Sequence, residues 1–189
     1  MSAEKKVLRV KMKAYLNSLS NEKIAKMSDE MTKSFRQWFE VHAKGQRTQI
    51  VGAYAPLFGE PVLSLKMLGQ LSLAFPRVLT PTQLSFHLCR PEDLVCQQVG
   101  SFVLNVPPAH APEVSPDLLL IPALAFDRQG YRLGRGKGFY DRYLEGHQVK
   151  AMGVCFMDQV LETVFAQEHD QPVDWLLTES GVTATQRGD

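Results

Sequence analysis

Apolar residues recur at three- and four-residue intervals through the first 40 positions of the chain. Leu8, Met12, Tyr15, Leu16 and Leu19 form one stripe; Ile24, Met27, Met31, Phe35, Trp38 and Phe39 form another. That spacing lines apolar side chains along one face of a helix. It predicts amphipathic helices over residues 3–19 and from Ser20 to a stop at Gly45. Ser20 suits the cap of the second helix, since its hydroxyl oxygen can accept from a first-turn amide.

Beyond residue 48 the pattern shortens. Residues 49–54, 118–121, 150–156 and 173–178 are apolar runs of strand length, and 139–144 reads as a helix start. Leu73-Ala74-Phe75 predicts a short strand closed by Pro76, and residues 84–88 an alternating strand with His87 on the exposed face. Residues 62–71 predict a short helix. Residues 102–116, with Pro107, Pro108, Pro112 and Pro116, predict a fixed loop, and 181–189 are expected to fray. Strands alternating with helices predict a layered α/β domain over residues 1–189 with a largely parallel sheet.

Composition narrows the class. A chain of 189 residues, 44% hydrophobic, can bury a sizeable core. Its net charge of +1 excludes a broad electrostatic footprint for nucleic acid or an acidic membrane. Cys89, Cys96 and Cys155 are odd in number and lack Cys-x-x-Cys spacing, which argues against a disulfide framework or a structural zinc site. No run is long enough to span a bilayer, and the charged start lacks a signal-peptide core. A soluble cytoplasmic protein is expected.

The chemistry concentrates in residues 127–142. Gly134, Gly136 and Gly138 alternate with Arg135 and Lys137, after Arg132 and Leu133 and before Phe139, Tyr140 and Asp141. Residues without a Cβ let successive amides turn toward one anion, and the guanidinium and ammonium groups add charge-assisted donors. Asp141 is an oxygen ligand suited to the Mg²⁺ that accompanies polyphosphates. A solvated basic turn or a Gly/Arg-rich RNA contact would use the same residue types. The phosphate cradle accounts better for glycines at alternate positions between an apolar strand and an aromatic helix start. Lys137 is followed by Gly138 rather than Ser or Thr, and Phe139 stands where the dinucleotide fingerprint has glycine, so neither familiar nucleotide motif applies.

Residues 121–127, Ile-Pro-Ala-Leu-Ala-Phe-Asp, followed by 130–141, Gly-Tyr-Arg-Leu-Gly-Arg-Gly-Lys-Gly-Phe-Tyr-Asp, resemble the signature of the 5-formyltetrahydrofolate cyclo-ligase family, also called 5,10-methenyltetrahydrofolate synthetases. The resemblance continues along nearly the whole chain and implies a single-domain three-layer α/β/α sandwich. It implies conversion of 5-formyltetrahydrofolate to 5,10-methenyltetrahydrofolate with ATP and Mg²⁺. The formyl oxygen takes up the γ-phosphoryl group, N10 closes the ring, and phosphate leaves. ATP and the folate are then the only partners, and a monomer is expected.

By the same resemblance, ATP falls to Lys5, Arg9, Arg132, Leu133, Gly134, Arg135, Gly136, Lys137, Gly138, Phe139 and Tyr140. Lys5 and Arg9 match the family's Lys-x-x-x-Arg, although by themselves they read as an ordinary solvated basic face. The folate falls to Tyr54, Ala55 and Glu60 together with residues 135–139. Arg135 and Lys137 are the catalytic cations. Asp141 and Asp170 are the Mg²⁺ ligands, and His169 has no catalytic role. Arg77 stands where the family places a basic residue after its proline, whereas Val106-Pro107 replaces a Glu-Pro pair common in relatives.

Overall fold

The computed structural model describes residues 2–42, 50–65, 71–99 and 102–186. Helices α1 (Ala3–Ser18) and α2 (Asn21–His42) open the chain. Strands β1 (Ile50–Gly52), β2 (Ser72–Val78), β3 (Leu84–Leu88), β4 (Val95–Val99), β5 (Phe102–Val106), β6 (Glu113–Val114), β7 (Leu118–Pro122), β8 (Ala125–Asp127) and β9 (Arg132–Leu133) follow. Then come α3 (Phe139–Gly146), β10 (Lys150–Val154), β11 (Val160–Leu161), β12 (Trp175–Thr178) and β13 (Gly181–Ala184).

The main sheet has the order β13-β12-β10-β7-β1-β2-β3-β6. Pairings from β12 through β10, β7 and β1 to β2 are parallel, and antiparallel strands β13, β3 and β6 finish the edges. Side chains of a strand point alternately to opposite faces, and the core divides accordingly. Leu118 and Leu120 join Met152, Val154 and Leu177 under the Met12, Leu16, Met31 and Phe35 faces of α1 and α2. Leu119 and Ile121 join Ala151, Cys155 and Leu176 on the other face, with Tyr143 of α3. Helices therefore cover both faces of a mostly parallel sheet, the three-layer arrangement expected. The central strands are nearly all apolar because both of their faces are buried.

Close approach of neighbouring side chains selects glycine at two strand positions. A Cβ on Gly52 would lie 2.4 Å from Leu119, and one on Gly153 would lie 2.6 Å from the Phe126 ring.

Several expectations change. Pro76 does not close β2; it lies within the strand beyond the three-residue pairing with β1, where its missing N–H breaks no ladder on that side. His87 is buried, not exposed. Its ring bonds the Ser85 hydroxyl at 2.8 Å and the Ala111 carbonyl at 2.9 Å, so the turn before β6 lies over the face that would have met water. The proline-rich segment contains β5 and β6, its prolines falling between and after the paired stretches. Residues 181–184 are not frayed but pair with β12, and Thr185 donates to the carbonyls of Val173 and Asp174. Residues 62–64 form no helix, while the rest of that predicted helix, save Leu65 and Leu71, and the Gly45 stop lie outside the described residues. No helix among the described residues is long and apolar enough to cross a membrane.

Candidate active site

The carboxyl ends of the parallel strands face a cavity of about 940 Å³, the place where open α/β sheets take their ligands. The Gly-rich loop forms one wall. Asp127 sets that loop up, its Oδ1 accepting from the amides of Gln129 at 3.1 Å and Tyr131 at 3.0 Å. Burial pushes its carboxyl above the ordinary range despite these amides. The chain then turns back as β9, so that Arg132 faces the cavity while Leu133 is fully buried in the core. Leu133 is thus not a cavity side chain, unlike the other predicted loop residues. Gly136 at φ +103° and Gly138 at φ +65° hold the left-handed backbone that disfavours a Cβ.

Helix α1 supplies a second wall. Lys5, Arg9 and Lys13, at four-residue spacing, all line the cavity. Lys5 is 4% exposed and its ammonium donates to Asp170 Oδ2, which also accepts from the Gln167 amide at 2.7 Å. Arg9 Nε donates to the Gly134 carbonyl at 2.8 Å, docking the helix on the loop. Burial pushes the Asp170 carboxyl up, but the hydrogen bonds from Lys5 and Gln167 and the Lys5 charge leave it below its usual value. The solvated basic face suggested by the sequence is therefore overturned at Lys5, because a carboxylate 165 residues away closes over it.

The third wall is the segment after β1. Tyr54 is buried and donates its hydroxyl to the Pro61 carbonyl at 2.7 Å; burial, then the nearby Glu60 charge, push its phenol well above the ordinary range. Glu60 is 5% exposed. Its Oε1 accepts from Arg135 at 2.8 Å and its Oε2 from the Leu57 amide at 2.9 Å. An apolar flank from Val78, Leu79, Leu104 and Val106 completes the enclosure. Sequence reading missed Lys13, which merely continues the Lys5–Arg9 series, and Leu104, to which no local signal points.

Seven cationic side chains and four carboxylates line this cavity, so it favours an anionic ligand. Lys137 has no ion-pair partner among the described residues and is exposed to the cavity. Arg132, in contrast, is buried, pairs with Asp141 Oδ1 at 2.9 Å and stacks 5.6 Å over the Tyr140 ring. Its Nε is buried without a hydrogen-bond partner among the described residues. Burial pulls its guanidinium below the ordinary value, offset in part by Asp141.

Asp141 and Asp170 each give one oxygen to a buried cation, and their other oxygens accept no hydrogen bond among the described residues. No group of three side chains that could chelate a metal occurs among the described residues. One or two carboxylates beside a phosphate site is the donor set that suits Mg²⁺, which keeps waters and takes the remaining ligands from phosphate.

The family model for the 5-formyltetrahydrofolate cyclo-ligase family matches residues 1–179. The chain belongs to this family. Among curated cyclo-ligases, the one from Mycolicibacterium smegmatis is 35% identical over 143 residues, covering 68% of this chain and 72% of the relative. The Saccharomyces cerevisiae cyclo-ligase is 28% identical and aligns with 95% of this chain and 97% of its own. Among solved structures, the Aquifex aeolicus 5,10-methenyltetrahydrofolate synthetase superposes with a TM-score of 0.77 at 29% identity, covering 98% of this chain and 94% of that one. A Mycoplasma pneumoniae synthetase shares the fold at 20% identity, with a TM-score of 0.75 over 93% of this chain and 98% of that one. Family membership supports 5-formyltetrahydrofolate cyclo-ligase activity, and the cyclo-ligase loop forms one wall of the cavity just described.

Proposed function

We propose that this cavity carries out ATP-dependent cyclisation of 5-formyltetrahydrofolate to 5,10-methenyltetrahydrofolate, with release of ADP and phosphate. The observation that carries the reading is the meeting of α1 and the Gly-rich loop, joined by Arg9 and Gly134 across 125 residues, in a cation-rich cavity whose third wall presents Glu60. Lys5, Arg9, Arg132 and the amides of residues 134–140 take the ATP phosphates, and Lys13 extends the same row of charge. Glu60, beside Ala55 and Tyr54, takes the donor-rich pterin ring, because a carboxylate can accept from ring N–H and amino groups. Val78, Leu79 and Leu104 give the folate an apolar wall.

An amide oxygen is a weak nucleophile and oxide a poor leaving group. Transfer of the γ-phosphoryl group forms a bond from the formyl oxygen to phosphorus and breaks the bond to the ADP oxygen; N10 then attacks the formyl carbon, the carbon–oxygen bond to phosphate breaks, and the departing phosphate takes the N10 proton. Positioning of the two substrates supplies the first requirement and phosphorylation the second. Arg135 and Lys137 spread the charge of the group in flight, an interaction stronger in the transition state than in the ground state. Asp141 and Asp170 would hold Mg²⁺, which when bound neutralises phosphate oxygens. No side-chain nucleophile is required, and buried Cys155, whose thiol burial pushes upward, is not one. The three free thiols support a reducing, cytoplasmic setting.

The test is spectrophotometric: methenyl product is followed with purified protein, 5-formyltetrahydrofolate and Mg²⁺, with and without ATP. Product only with ATP is expected. Absence of product under both conditions discards the reading.

A further inference from the structure

We propose that Arg142 is a positioning residue that holds the Lys137 end of the Gly-rich loop against the turn between β2 and β3, and so fixes where the catalytic ammonium starts from. This rests on the reading of the loop as the phosphoryl-transfer site. The Arg142 guanidinium donates at 2.7 Å to the Lys137 carbonyl through one terminal nitrogen and at 2.7 Å to the Thr82 carbonyl through Nε. One rigid fork thereby joins two segments that no strand pairing connects. Thr80 and Pro81 line one rim of the cavity and Gly136 and Lys137 the other, so the fork spans the rim.

The local geometry explains why this position needs it. The α3 cap is Gly138, whose carbonyl already accepts from the Arg142 amide at 3.2 Å. The Lys137 carbonyl therefore precedes the helical ladder, and the Arg142 side chain supplies the partner the ladder cannot. The turn on the far side is itself well made: the Thr80 hydroxyl accepts from the amides of Thr82 at 3.3 Å and Gln83 at 3.1 Å. It is an ordered anchor rather than a loose loop. The Phe139 ring lies 5.6 Å beneath the guanidinium, a cation–π contact that keeps the fork in place. A Cβ on Gly138 would come within 2.9 Å of Arg142 Nη1, so glycine there leaves room for the clamp as well as adopting positive φ. Arg142 has no carboxylate partner among the described ion pairs; its donors go to backbone carbonyls, which is a means of shaping a chain rather than of balancing charge.

The experiment uses the full chain in two measurements. In the ligand-free protein, Arg142→Ala is expected to speed amide hydrogen exchange in residues 136–139 and in residues 80–83 together, while the rest of the sheet keeps its protection. In turnover, Arg142→Ala should lower kcat by about tenfold in the parent but by less than about twofold in a Lys137→Gln background, since a residue that acts through Lys137 has little left to position once that charge is gone. The folate KM should stay within about twofold. Arg142→Lys, which keeps the charge and loses the fork, should resemble Arg142→Ala. Equal fractional losses in both backgrounds, unchanged exchange in either segment, or full activity of Arg142→Lys overturns the proposal. A parent that makes no methenyl product overturns the assigned reaction instead, and the exchange measurement then decides the clamp alone.

Discussion

Arg135 donates to Glu60 Oε1 through a terminal nitrogen at 2.8 Å and through Nε at 3.3 Å, joining residues 75 apart in sequence. The carboxylate is buried while the guanidinium is about one-third exposed. This pair connects the wall assigned to the folate with the wall assigned to ATP. Glu60 and the phosphate loop are therefore coupled directly.

The first prediction follows from that pair. Glu60→Gln should weaken 5-formyltetrahydrofolate binding by about tenfold or more, because an amide donor now faces the ring donors and leaves groups unpaired. ATP binding should not weaken, since Arg135 loses its neutralising partner and presents its charge to phosphate. Calorimetric titration with each ligand separately checks both halves; a loss for ATP equal to that for folate would recast Glu60 as a loop support rather than the pterin anchor.

For Lys137→Gln, kcat should fall by about 100-fold or more with a much smaller change in folate affinity. The lost ammonium is exposed to the cavity and has no partner among the described residues, so its removal leaves no buried charge stranded and its effect falls on the transferring phosphoryl group. Steady-state kinetics beside a folate titration separate the two. Parental kcat in this variant removes Lys137 from the mechanism.

Asp141→Asn should raise the Mg²⁺ concentration needed for half-maximal rate, because a neutral amide is a poorer ligand for a hard dication. The measurement is rate against Mg²⁺ at fixed total ATP. A titration that overlays the parent's would move the metal away from Asp141.

The Lys5–Asp170 pair predicts an acid-dependent stability term. Removing one member of a buried pair strands the other, so Asp170→Asn should cost about 3 kcal/mol or more at neutral pH, roughly 6–12 °C in Tm for a chain of this size. Asp170 is held below its usual value in the folded state. Its contribution is therefore complete above the unfolded value of about 3.9 and is lost as pH falls through the lower folded value. Thermal melts should show the gap between parent and variant full at pH 6–7 and shrinking below about pH 4. A gap that widens on acidification contradicts the sign.

Residues 127–141 were legible because their chemistry is local: glycines, cations and the following aromatic helix start lie within one turn of chain and define the loop wherever it is placed. The apolar stripes of α1 and α2 and the runs of β7 and β10 were equally local, since periodicity alone reports which face is covered. Lys5 was not legible in the same way. A lysine on the polar side of a helix reads as solvated until a second segment closes over it, and Asp170, which does so, comes 165 residues later. His87 misled for the same reason: alternation tells two faces of a strand apart but not whether a distant turn, here the one carrying Ala111, will lie over one of them. The Glu60–Arg135 pair and the reach of Arg142 to Thr82 likewise depend on sheet order, which brings β1, β2 and β7 side by side. The sequence by itself determined the loop, the helix faces and the buried strands, because those follow from residue type and near-neighbour spacing. Tertiary structure decided which charges are paired and which stay available to a ligand, because an ion pair forms only where the fold has brought its two partners within a few ångströms.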